Sequence, residues 1–218
     1  MNKRRIIPIV EGHGEERAVP HLIKRWLRHR RFHPYFDVPD QAINTKGCGK
    51  IKASYDTRRH LGIEHYVTAA LRGRPDAIII IIDADDECMK RGPGNSLGPE
   101  LLARARKVAP HIPLAVVAAD PEYEAWFLAS IDSIRASGLL PESSKRVPRI
   151  QNPESHRGCK KMIADLLCGP YEETVHQLKL SRALSFSQTV RQRAPSYDKL
   201  LRDLERILRE ARINRKVR

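Results

Sequence analysis

Cysteine is scarce in this chain. Four occur in 218 residues, Cys48, Cys88, Cys159 and Cys168, and no two stand at zinc-ligand spacing. That pattern excludes a disulfide-built scaffold and a zinc ribbon. Long apolar runs are missing too. Ala77–Ile82 spans six residues and none is longer, far short of the roughly 20 a membrane-spanning helix takes. The apolar stretch behind Lys3, Arg4 and Arg5 ends at Val10, where Glu11 interrupts it. It is too short for a signal-peptide core of about 7–15 residues, so a cytoplasmic protein is expected. There is no internal repeat and no low-complexity tract. Neither Gly12-His13-Gly14 nor Gly47-Cys48-Gly49-Lys50 has the spacing of a phosphate loop, which argues against ATP binding through those segments.

Positive charge is abundant. Forty Lys and Arg stand against 26 Asp and Glu, a formal net charge of +14. Such a surface attracts polyanions, of which nucleic acid is the commonest in the cytoplasm. The basic residues cluster in Leu22–His33, Lys145–Lys161 and the C-terminal eight residues, ARINRKVR. A solvated helix face or a frayed terminus is the plain alternative for each.

The hydrophobic pattern alternates between two periods. RIIPIV (5–10) predicts a buried strand, and Val19, Leu22, Ile23, Trp26 and Leu27 form one stripe of a helix over 15–30. A second strand is expected within 35–44 and a Gly/Lys-rich loop over 44–52. A helix over 57–71 precedes AIIIII (77–82), whose two apolar faces suit the middle of a covered parallel sheet. A helix over 97–108, a strand over 112–118 and a helix from Tyr123 follow. This order predicts an α/β fold, Rossmann-like, with a mostly parallel sheet flanked by helices. The segment after residue 135 is polar, Pro-punctuated and then helical, so the chain divides into an α/β domain over 1–135 and a helical C-terminal extension over 136–218. Trp26 and Trp126 sit on apolar stripes and are expected in the core.

In open α/β sheets, ligands bind beyond the carboxyl ends of the strands. Three groups of acids fall there: Glu11; Asp83 with Asp85, Asp86 and Glu87; and Glu122 with Glu124. Each acid also has an ordinary structural role. Glu15 and Glu16 suit the first turn of a helix, and Asp83 suits a turn. Together they form a like-charged cluster that divalent cations would relieve, and an all-oxygen donor set suits Mg²⁺ or Mn²⁺.

VEGHGEE (10–16) followed by IIDADD (81–86) resembles the TOPRIM domain, the metal-binding unit of topoisomerases, primases and certain nucleases. The resemblance covers roughly residues 5–130. Glu11 and Glu15 resemble the pattern of overcoming-lysogenization-defect nucleases. PEYEAWFLAS (121–130) and APSYDKLLRDL (194–204) resemble bacterial TOPRIM-like proteins encoded beside AAA-type ATPases. The resemblance implies catalytic acids at Glu11, Asp83 and Asp85, and metal ligands at Glu11, Glu15, Asp83, Asp85 and Glu124. Glu122 is the alternative to Glu124, and Asp86 to Asp85. Lys46, Lys50, Lys160 and Lys161 are the cations expected to meet nucleic acid or assist its chemistry. The implied activity is Mg²⁺-dependent phosphodiester hydrolysis in anti-phage defence. The implied protein partner is an AAA-type ATPase; nucleic acid, DNA above RNA, is the expected substrate, and a second copy of the chain is a further candidate partner. None of Tyr55, Tyr66 and Tyr197 has the context of a topoisomerase nucleophile, so hydrolysis is expected rather than religation. A nucleic-acid-binding or regulatory TOPRIM subunit with little activity is the alternative.

Overall fold

The structure, a computed structural model, describes residues 3–84, 97–146 and 150–214. In chain order its regular elements are β1 (Arg4–Val10), α1 (Glu15–His29), β2 (Phe36–Asp37), β3 (Ile43–Asn44), α2 (Cys48–Lys52), α3 (Ile63–Leu71) and β4 (Ala77–Asp83). Then come α4 (Leu97–Val108), β5 (Leu114–Ala119), α5 (Glu124–Ala129), α6 (Ile131–Ala136), α7 (Cys159–Leu167), α8 (Glu173–Ser181), α9 (Gln188–Arg193) and α10 (Pro195–Asn214). The five strands make one parallel sheet in the order β2–β1–β4–β5, with β3 also paired to β1. This is an α/β architecture of Rossmann-like kind.

Strand alternation divides the core in two. Ala77, Ile79 and Ile81 of β4 face one cluster with α1, α5 and α10; Ile78, Ile80 and Ile82 face the other with α3 and α4. All six are essentially inaccessible, and burying one isoleucine contributes about 1.5–3 kcal/mol relative to exposing it. The first cluster also contains Ile163, Leu180, Leu204 and Leu208, so residues on both sides of position 135 share it. Trp26 and Trp126 lie in this core as expected, and the Trp126 indole donates to Ser196 Oγ at 2.8 Å.

The differences from the sequence reading are local. The strand expected within 35–44 is two short ones, because Pro39 and the turn around it break the ladder. They pair with opposite ends of β1, at Arg4–Arg5 and at Ile9–Val10, and Pro8 falls between the two pairings. The expected loop over 44–52 contains the short helix α2, and the helix expected from Thr57 begins at Ile63 after Gly62.

Pro20 sits inside α1 and has no N–H for the Glu16 carbonyl. Ala42 N–H, from the β2–β3 connection, donates to that carbonyl instead at 2.8 Å. The open edge of β5 is covered by α10. Lys199 Nζ donates to Val116 O at 3.1 Å and Arg206 Nη2 to Leu114 O at 3.2 Å, which occupies carbonyls that would otherwise invite another strand.

Because the core runs across position 135, the chain is expected to unfold in one step. Leu204→Ala should cost about 2–5 kcal/mol. In urea it should lower the midpoint with an unchanged slope, with far-ultraviolet circular dichroism and tryptophan fluorescence still coincident. Two separated transitions would show that the C-terminal helices fold independently.

Candidate functional site

The sheet order changes direction between β1 and β4, and the crevice beyond their carboxyl ends is where such sheets bind ligands. Carboxylates stitch the strand ends together there. Glu11 Oε2 accepts from Asp83 N–H at 3.0 Å, and Asp83 Oδ1 accepts from Tyr123 N–H at 2.9 Å. The turn after β1 is closed by Glu15, whose Oε2 accepts from Gly12 N–H at 2.6 Å.

Two glycines allow this packing. A Cβ on Gly12 would lie 2.7 Å from Glu15 Oε2, and one on Gly14 would lie 2.1 Å from Gln177 Oε1. Gln177 comes from α8 and its side-chain amide spans two acids, donating to Glu15 Oε1 at 3.3 Å and Glu124 Oε1 at 2.9 Å. The Tyr171 hydroxyl also donates to Glu124 Oε1, at 2.6 Å. Glu15 is 6% exposed and Glu124 fully buried, and Glu124 Oε2 has no hydrogen-bond partner among the described residues. A buried, unpartnered carboxylate oxygen is costly, and here it lies among other acids.

The crowding shifts proton affinities. Burial, reinforced by the charges of Glu124 and Glu173, pushes Glu15 up to about 7, against the pull of the Gly12 and Gln177 donors. Asp83 is raised well above the ordinary carboxylate range by burial and by Glu15, Glu124 and Glu11. Burial and the adjacent Glu124 charge raise the Tyr171 phenol, which keeps it a donor. Burial, with Glu122 and Glu124, holds the Cys159 thiol up at about 12. Lys160 closes the rim. Its Nζ lies 2.6 Å from Glu173 Oε1 and 3.9 Å from Glu122 Oε2. Partial burial works against its charge, yet Glu173, Glu124 and Asp83 hold its proton affinity above the ordinary value.

Of the acids expected from the sequence, Glu11, Glu15, Asp83 and Glu124 share this crevice, while Asp85 and its alternative Asp86 lie outside the described residues. Glu122 points to α7, accepting from Lys160 N–H at 3.1 Å. Lys46 is exposed in the turn after β3, next to Gly47, whose N–H donates to Glu11 O at 3.0 Å; Lys50 is exposed on α2. Lys161 is exposed on α7. His13 stands 3.0 Å from the Asn44 amide and 3.7 Å from Glu16. Sequence reading missed Gln177, Tyr171 and Glu173. They come from α8 and the segment just before it, more than 150 residues beyond Glu11, and no local pattern marks a glutamine on a helix as a bridge between acids.

The donor chemistry suits Mg²⁺ or Mn²⁺: oxygen ligands only, mutually repelling, with two buried oxygens, Glu124 Oε2 and Gln177 Oε1, unsatisfied among the described residues. Among the described residues, however, no group of three or more His, Cys, Asp or Glu is assembled to hold an ion. Among those residues, too, no helix is long and apolar enough to cross a membrane.

A family profile described as "Domain of unknown function (DUF4276)" matches residues 10–205. Neither the curated proteins nor the solved structures contain a match.

The raised Glu15 has a measurable consequence without added metal. Between its unfolded value of 4.5 and its folded value of about 7, the native state binds more protons, so stability falls as pH rises through that window and levels off above it. Asp83 acts with the same sign. Glu15→Gln should therefore gain stability over the parent as pH rises from 4.5 to 7, reaching on the order of 2–3 kcal/mol at pH 8. Urea titrations in EDTA at pH 4.5, 6 and 8 check this; a gap independent of pH would show that Glu15 is not strained by its charge.

Proposed function

The chain belongs to the DUF4276 family, and for it we propose a Mg²⁺-dependent nuclease that hydrolyses phosphodiester bonds, in DNA above RNA. One observation carries the reading: four carboxylates from different parts of the chain crowd at the sheet's switch point, in a protein of net charge +14. A protein that only bound phosphates would weaken its own binding by placing acids there. The TOPRIM resemblance of VEGHGEE and IIDADD supports the same assignment. The resemblance of PEYEAWFLAS and APSYDKLLRDL supports a partner ATPase of the AAA type and a role in anti-phage defence, and cytoplasmic residence and self-association are part of the same proposal.

In this reading Glu11 and Asp83, at the mouth of the crevice, hold Mg²⁺ or Mn²⁺ together with Asp85, while Glu15 and Glu124 lie deeper. When bound, the metal supplies an activated water and stabilises the leaving oxygen. The protein's own part is positional. The Glu11 carboxylate fixes the backbone of Asp83, and Asp83 fixes that of Tyr123. The Gln177 amide keeps Glu15 and Glu124 apart yet in place. Lys46, Lys50 and Lys161 lead phosphates toward the acids. Lys160, held between Glu173 and Glu122, keeps a positive charge at the rim, where charge develops on the phosphoryl group.

A second reading, a regulatory TOPRIM subunit with little activity, is favoured by the lack of an assembled three-donor group among the described residues. Asp83→Asn separates the two, because it removes the charge while keeping an acceptor for Tyr123 N–H. The alanine variant would orphan that buried donor at about 1–3 kcal/mol. Linear and supercoiled DNA and RNA, incubated with Mg²⁺, Mn²⁺ or EDTA, should be cut only with metal. Asp83→Asn should lower the rate at least about a hundredfold with DNA affinity kept. Mg²⁺ should raise the melting temperature of the parent and not of the variant. A folded parent that neither cuts nor responds to either metal would establish the regulatory reading.

A further inference from the structure

A second concave surface lies beside the crevice on the same two helices. It is a cavity of about 530 Å³ between α1, α8 and the Pro39–Gln41 turn, within the roughly 300–1,000 Å³ typical of ligand sites. Arg17, His21 and Lys24 line it from α1 at i, i+4 and i+7, so they form one row about 10 Å long. Arg182, at the end of α8, adds a fourth basic group from the facing wall. The acid in this lining is Asp40, an exposed side chain tied to Lys24 Nζ at 2.5 Å. Pro20, Pro39 and Leu178 supply apolar surface between the charges.

Arg17, Lys24 and Arg182 against Asp40 leave the lining with a net positive charge. His21 is pushed below its ordinary proton affinity, first by burial and then by Arg182, Arg25, Arg28 and Lys24. Its position is equally informative. Arg17 is two residues past Glu15, and Leu178 is next to Gln177, which bridges Glu15 and Glu124. A polyanion lying along this row would reach the crevice without leaving α1 or α8. A lone phosphate would engage only part of the row, whereas successive phosphates on one strand can occupy it along its length.

We propose that the α1–α8 groove is the track along which the phosphodiester backbone of nucleic acid runs into the carboxylate crevice. The choice of nucleic acid as the polyanion rests on the nuclease reading; the groove itself rests on Arg17, His21, Lys24 and Arg182.

The test uses the full chain in EDTA, so that binding is read without cleavage. Fluorescence anisotropy with labelled single-stranded and duplex DNA of about 20 nucleotides is measured across a salt series from about 50 to 200 mM. Arg17→Gln/Lys24→Gln/Arg182→Gln should weaken binding about tenfold or more near 100 mM salt and flatten the log–log salt slope by about 2–3. Arg72→Gln/Arg106→Gln/Lys107→Gln removes the same charge from the α3–α4 face and should weaken it less than about threefold. If the groove triple melts early, Arg17→Gln and Arg182→Gln are compared singly with Arg106→Gln, and each should exceed it. Equal losses from the two faces, or no binding by the parent, would overturn the proposal. So would polyglutamate binding with the same groove dependence, which would point to an acidic protein partner. Groove-dependent binding by a protein that never cuts with Mg²⁺ or Mn²⁺ would remove the nuclease reading and leave the track standing. Cutting with groove-independent binding would do the reverse.

Discussion

Like charges held together are the constraint around which this structure is arranged. Glu11, Glu15, Asp83 and Glu124 would separate if free, and the fold denies them that freedom with backbone N–H donors, the Tyr171 hydroxyl and one side-chain amide. Gly12, Asp83 and Tyr123 each give an N–H to a neighbouring carboxylate. The Gln177 amide completes the set by donating to both Glu15 and Glu124. Burial, with the neighbouring charges adding to it, raises the proton affinities of Glu15 and Asp83. Such strain persists only where surrounding packing over-determines it, and that packing is the rest of the molecule.

Helix α1 links these demands. Its first turn carries Glu15, and Pro20 frees the Glu16 carbonyl for Ala42. One face buries Trp26 and Leu27 against the sheet, while another lines the basic groove. Helix α8 is its counterpart, with Gln177 in the crevice and Leu178 in the groove. Acidic crevice and basic groove are therefore neighbouring faces of one helix pair. Under the proposed function, that arrangement would attract a polyanion along one surface and present it to a cation at another.

The C-terminal helices complete the site as well as the core. Tyr171, Glu173 and Gln177 surround Glu15 and Glu124, and Lys160 of α7 closes the rim. Leu204 and Leu208 of α10 lie in the same core cluster as the β1 and β4 side chains of that face. An α/β unit ending near residue 135 would lack the glutamine that holds its two buried acids. The family profile, spanning residues 10–205, covers both parts.

The apolar runs 6–10, 77–82 and 112–118 determined the principal strands, because a run apolar on both faces has no stable place except inside a covered sheet. The stripe of α1 was equally legible, since burial needs a repeat of 3.6 residues. Glu11 and Asp83 could be read as a pair because strand ends in such sheets meet at one edge. Other features belonged to the tertiary structure. The split into β2 and β3, the bridge made by Gln177, the ties of Lys160 and the basic wall formed by Arg182 depend on residues far apart in the chain. A glutamine on a helix has the same local propensity whether it faces water or two carboxylates. Only the tertiary packing that gathers α8, α1 and the start of α5 brings its amide within hydrogen-bond reach of both, and that arrangement is set by the shape of the buried core, which no short stretch of sequence contains.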